Sequence, residues 1–123
     1  MTQDDNAIDL LVCIKCRVEG TDPDAEIRPG AKLLAALGTQ DVPANVRVKG
    51  VECLSNCTRG CSIALRGPGR WSYVYGNLDE SFAEIVADGA TKYQSTADGL
   101  VPWRERPEHF RKNCIARIPP LEA

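Results

Sequence analysis

The sequence predicts an α/β fold with its elements in the order β-α-β-β-β-α, a four-stranded mixed sheet and a C-terminal extension. Three observations predict it. Two short strand-like runs, Ile8 to Cys13 and Val46 to Val51, flank a stretch with helical leucine spacing. The turn Gly67-Pro68-Gly69-Arg70 separates two further strand-like runs. A helical apolar face at Leu78, Phe82, Ile85 and Val86 completes the pattern.

Taken in order, residues 1–6 are a polar start and Ile8 to Cys13 (IDLLVC) fits a buried strand. Cys16 to Pro29 is rich in Gly, Asp and Pro and reads as a loop. Pro29 suits the first turn of a helix that holds Ala31, Leu33, Leu34, Ala35 and Leu37, with Gly38 as its C-cap. Val46 to Val51 (VRVKGV) alternates apolar and polar residues, as a half-buried strand does. A β-α-β unit sets its two strands parallel through a right-handed crossover, so their ends lie side by side. Cys13 closes the first strand and Cys53 the second, and topology thereby brings two cysteine groups together.

Ser62 to Arg66 and Trp71 to Gly76 (WSYVYG) form a hairpin about the GPGR turn. Trp71, Tyr73 and Tyr75 alternate along the return strand, and their face covers either the core or a dimer interface. Asn77 is placed to cap the last helix, which runs to about Asp88 or a little beyond, with Gly89 as its weak point. This is the thioredoxin-like order. It assigns residues 1–96 to one domain and 97–123 to an extension packed on that domain or on a partner. In the extension, Pro107 is set to open a short helix carrying Phe110 and Cys114 on one face. Arg104, Arg106, Arg111, Lys112 and Arg117 outnumber Glu105 and Glu108 there. That imbalance makes a solvated basic face or a contact surface for an acidic partner.

The chain has 123 residues, 43% of them hydrophobic and 26% charged, with a net charge of −2, an ordinary balance for a soluble domain. It lacks the basic character of a nucleic-acid binder. The start MTQDDNAIDLLVCIKC has acids where a signal peptide has bases, and no apolar run approaches the length of a membrane span. The expected location is the cytoplasm, where closely spaced cysteines serve as metal ligands or redox groups more often than as disulfides. No catalytic constellation stands out: Asp22, Asp24 and Glu26 read as a solvated charged loop. The expectation is therefore a protein that is not an enzyme.

The six cysteines carry the chemistry. Cys13-x2-Cys16 at one strand end and Cys53-x3-Cys57 at the next supply four thiolates directed to one place. Four soft sulfur ligands suit zinc or an iron–sulfur cluster. The single histidine, His109, excludes a Rieske centre, which needs two. A thioredoxin-type dithiol fits less well, because Cys16 is followed by RVEGTDPD, which breaks rather than opens a helix. Cys-Cys spacing alone does not separate a 2Fe–2S cluster from a structural zinc site. Cys61 reads as a small buried residue or a competing ligand. Cys114 reads as filler in the extension.

Cys53-Leu-Ser-Asn-Cys57, Gly60, the strand SIALRG, the aromatic hairpin strand WSYVYG and the helix beginning NLDESFAEIV resemble the second half of thioredoxin-like 2Fe–2S ferredoxins. Over nearly its whole length the chain is similar to a small bacterial family described as predicted metal-binding proteins. That family carries an early CxxC, CLSNCxRGC, and a tail matched here by Trp103-Arg104-Glu105-Arg106-Pro107 and Ile115 to Pro120. The resemblance implies a one-electron carrier with a 2Fe–2S cluster on Cys13, Cys16, Cys53 and Cys57, with Cys61 as the alternative ligand. Zinc is the alternative metal, in a structural or metal-handling protein. It further implies a homodimer, redox partner proteins and a link to cobalamin biosynthesis. Two departures stand beside it: the family of ferredoxins spaces its first two cysteines more widely, and it lacks an equivalent of Cys61. All-cysteine ligation implies a potential on the order of −400 to −200 mV. Gly20 and Gly60 would let backbone N–H groups approach the sulfurs, and Arg59 reads as an ordinary surface arginine or as added positive charge beside them.

Overall fold

The computed structural model describes residues 7–14, 29–51 and 61–120. Five strands form one mixed sheet in the order β2-β1-β3-β4-β5. Strand β1 (Ile8–Cys13) is the second strand, inside the sheet, and is buried along its whole length. It pairs in parallel with β2 (Val46–Val51), with Ile8 opposite Val46 and Cys13 opposite Val51. On its other side it runs antiparallel to β3 (Ile63–Arg66), with Asp9 opposite Arg66 and Val12 opposite Ile63. Strand β3 pairs in turn with β4 (Ser72–Tyr75) in the expected hairpin. Its turn closes through Arg70 N–H donating to Gly67 O at 3.1 Å, with Gly69 at φ +67°, a conformation glycine adopts without strain.

The crossover helix α1 (Pro29–Leu37) starts at its proline and ends where Gly38 N–H donates to Leu34 O at 3.2 Å. Leu33 and Leu37 are buried against Ile8, Leu10 and Val12 of β1. Helix α2 (Ala83–Gln94) adds Val86, Ala87, Ala90 and Tyr93 to the same core, so both helices cover one face of the sheet. Tyr73 and Tyr75 belong to that core, with rings stacked at 5.8 Å, and Tyr93 meets Tyr73 edge-on at 6.3 Å. The aromatic strand thus packs inward.

Four sequence expectations change. Asn77 does not cap α2: it sits at φ +56°, and its amide donates to Asn113 Oδ1 at 2.8 Å. The cap is Asp79, whose carboxylate accepts from Ser81 N–H at 2.8 Å at the head of a 3-10 turn (Glu80–Phe82) leading into α2. The helix also passes straight through Gly89. A Cβ there would stand 2.1 Å from Phe110 Cε2, so the glycine is the slot that admits this ring. Phe110 is 3% exposed and stacks on Tyr75 at 4.0 Å, and its burial contributes about 1.5–3 kcal/mol against a helix cost of about 1 kcal/mol for glycine.

The sheet has five strands where the sequence predicts four. The fifth, β5 (Cys114–Ile118), comes from the extension and pairs antiparallel with β4, Ser72 opposite Ile118 and Tyr75 opposite Cys114, with a bulge between Val74 and Tyr75. Four of its five residues are exposed, so it lacks the alternation that marks a half-buried strand; backbone pairing alone defines it. Cys114 accordingly starts a strand and does not share a helix with Phe110. The helix there, α3 (Glu108–Lys112), ends where Asn113 N–H donates to His109 O at 2.9 Å. Among the described residues, no helix is long and apolar enough to cross a membrane.

Candidate metal centre

Cys13 is the last residue of β1 and is 4% exposed. Its two neighbours in the sheet fix its surroundings. On one side stands Val51, and Ile14 N–H donates to Val51 O at 2.9 Å. On the other side the N–H of Cys13 itself donates to Ser62 O at 3.1 Å. The chain therefore leaves the sheet at Val51 on one flank of Cys13 and returns at Cys61 and Ser62 on the other flank. Each flank is one strand spacing away, about 4.8 Å. Cys53 and Cys57 belong in sequence to the segment between those two anchors. Cys53, Cys57 and Cys16 lie outside the described residues, as do Gly20, Asp22, Asp24, Glu26, Arg59 and Gly60.

Cys61 is fully buried, within the same core cluster as Cys13. It exchanges two backbone hydrogen bonds with Leu78, its N–H to Leu78 O at 2.7 Å and Leu78 N–H to its own O at 3.2 Å. This pair ties the start of β3 to the chain leaving β4 and holds Cys61 in place beside the β1 end.

The first turn of α1 closes over the same point. A Cβ on Gly30 would stand 1.9 Å from the backbone O of Cys13 and 3.2 Å from Ile14 Cα. Only a residue without a side chain lets the helix start there. The positive end of the helix is thereby brought against the strand end that carries Cys13, where it favours negative charge.

Cys114 stands apart from these residues, on the edge strand. Its Sγ lies 3.6 Å from Ala116 O. Burial of the sulfur pushes its thiol up, against the opposing pull of Arg106. Among the described residues, no three His, Cys, Asp or Glu side chains gather into a group able to hold a metal.

A second cluster lies at the other end of β1, and the sequence gives no sign of it. Asp9, 7% exposed, sits between Arg47 of β2 and Arg66 of β3 in register. Arg47 Nε is 2.9 Å from Asp9 Oδ1, an ion pair without hydrogen-bond alignment, and Lys49 Nζ is 3.7 Å from the same oxygen. Arg66 Nε donates to Asp9 Oδ2 at 3.2 Å. The partners are distant in the chain, and only the strand register reveals them.

A family model described as a protein of unknown function, DUF1636, matches residues 10–120, and the chain belongs to that family. No curated protein matches it in sequence. Among solved structures it is similar to a thioredoxin-like [2Fe-2S] ferredoxin from Aquifex aeolicus, with 15% identity and a TM-score of 0.54 over 90% of this chain and 92% of that one. The fold is thioredoxin-like, in agreement with the element order of the sequence.

Proposed function

We propose that the chain is a one-electron carrier rather than an enzyme, holding a 2Fe–2S cluster with Cys13, Cys16, Cys53 and Cys57. The observation that carries this reading is the placement of Cys13. It is buried at a strand end, between the two points where the segment containing Cys53 and Cys57 leaves and rejoins the sheet. Cys16 follows it by three residues. The donor set fits the group: thiolates are the ligands such clusters take. When bound, the cluster supplies one-electron transfer.

The chain's own residues supply the setting. Cys13 is held by its N–H bond to Ser62, so its backbone cannot swing. Leu33, Val12 and Ile63, all fully buried, keep water from the core side of that strand end. The N-terminal turn of α1, admitted by Gly30, offsets the negative charge that thiolates bring. Cys61, anchored through Leu78, is the competing ligand for one place. The family resemblance extends the proposal to a homodimer, a redox partner protein and a place beside cobalamin biosynthesis in the cytoplasm.

Anaerobic purification with iron, sulfide and zinc analysis tests the reading. A red-brown protein whose visible absorption bleaches with dithionite is expected. A colourless protein with zinc supports a structural or metal-handling role instead. A metal-free protein with a titratable dithiol supports neither.

A further inference from the structure

The Asp9 cluster holds more positive charge than its carboxylate needs. One cation neutralises a buried carboxylate, and three surround this one: Arg47, Lys49 and Arg66. The surplus stands out in a chain whose net charge is −2. Register explains how it is built. Arg47, Asp9 and Arg66 stand side by side on β2, β1 and β3. The next pair outward, on β4 and β5, is Ser72 with Ile118. This row lies on the sheet face that the helices leave uncovered, since Ile8 and Leu10, the neighbours of Asp9 along β1, point into the helix-covered core.

Both arginines approach Asp9 through Nε, Arg47 at 2.9 Å and Arg66 at 3.2 Å. Their Nη groups have no hydrogen-bond partner among the described residues, and both side chains are more than half exposed. Asp9 thus acts as a splint that orients two guanidinium forks without consuming their outer donors. Arg47 and Arg66 line one cavity of about 370 Å³, together with Ser72, the Gly67–Arg70 turn and Pro119-Pro120. Arg70, 4% exposed, borders it too. Its Nε and Nη2 hold the carbonyls of Thr96 and Gln94, while its buried Nη1 has no hydrogen-bond partner.

We propose that this row is a binding site for a small dianionic oxyanion ligand, a phosphate ester or a dicarboxylate. Guanidinium forks match both groups bidentately, Ser72 offers a hydroxyl, and the cavity volume of about 370 Å³ falls in the range of small-ligand sites. Asp9 is a positioning residue within it. The site stands four residues from Cys13 along β1, about 13 Å at the rise of a strand, so its occupancy is tested independently of the cysteine centre.

The test is titration of the full chain with inorganic phosphate and, separately, succinate, at constant ionic strength. Calorimetry and the arginine Nε–Hε NMR signals report binding. Saturable binding with a dissociation constant in the millimolar range or below is expected. Arg47→Gln and Arg66→Gln should each weaken it about tenfold, the loss of one charge-assisted fork. Lys112→Gln, on α3 and paired to Glu108, should leave it unchanged. Arg47 is exposed on an edge strand, so its variant keeps the test open if Arg66→Gln misfolds. Binding of phosphate alone assigns a phosphoryl ligand, and binding of both assigns the wider oxyanion class. Failure of the wild-type chain to bind either anion overturns the proposal. So does binding that appears only after Asp4→Asn and Asp5→Asn, which would give the row to the chain's own acidic start.

Discussion

Replacing Gly30 by alanine probes the junction on which the cysteine centre rests. The added Cβ would lie 1.9 Å from Cys13 O, where ordinary contact begins near 3.4 Å, so the pair must separate by about 1.5 Å. The oxygen belongs to the buried interior strand β1 and has no rotamer to change. The helix must therefore yield, and with it the packing of Leu33 and Leu37, which are 0% and 2% exposed. Overpacking of this kind costs about 1–3 kcal/mol, and a contact with backbone sits at the upper end. Alanine returns at most about 1 kcal/mol of helix propensity. The net expectation is destabilisation of about 2 kcal/mol, or roughly 8 °C in Tm for a chain of this length. Circular dichroism during thermal and urea unfolding measures it on protein purified anaerobically, and the variant should also retain less metal than wild type. A Gly30→Ala protein as stable as wild type would refute the close approach of α1 to Cys13.

Gly89→Ala should destabilise in the same assay by about 1–2 kcal/mol, because the gain in propensity is smaller than the displacement of the Phe110 ring; a rise in Tm would show the ring is not lodged there. Burial raises the Tyr75 and Tyr93 hydroxyls above their ordinary value. Unfolding releases them to titrate near 10, so their contribution is whole below about pH 10 and is lost as pH rises beyond it. Urea midpoints should thus hold up to about pH 10 and fall above it, and a profile that stays flat beyond about pH 10 would contradict the burial. Tyr93→Phe removes the hydrogen bond that Tyr93 Oη donates to Trp71 O at 2.5 Å and should cost about 1 kcal/mol. Cys114→Ser should leave the bound metal unchanged, whereas Cys13→Ser should release it, as metal analysis of the two purified proteins will show.

Where periodicity and turn chemistry act locally, the fold could be read from the sequence. The bounds of β1, α1 and β2 follow from an apolar run, a proline start with a glycine stop, and an alternation. The hairpin follows from its glycines. The reading failed where distant residues decide. The cost of Gly89 in a helix is visible locally, but the ring that offsets it arrives from Phe110 in the extension. Strand β5 exists through hydrogen bonds to β4 and has no apolar pattern to announce it. Asn77 and Asp79 are both able to cap, and the left-handed backbone at Asn77 selects the second. At the candidate centre, β-α-β topology was enough to place Cys13 beside the end of β2. The return of the chain on its other flank depends on the antiparallel pairing with β3, which cysteine spacing does not encode. The Asp9 row has no local signature at all, since one carboxylate and two arginines on three strands meet only once the register is fixed.

Electron paramagnetic resonance of the dithionite-reduced, anaerobically purified chain, read beside its metal content, goes to the centre of the account. A rhombic or axial S = 1/2 signal, with about two irons and about two inorganic sulfides per chain, is the predicted result. A silent spectrum from a colourless protein carrying about one zinc in a closed thiolate site would contradict it.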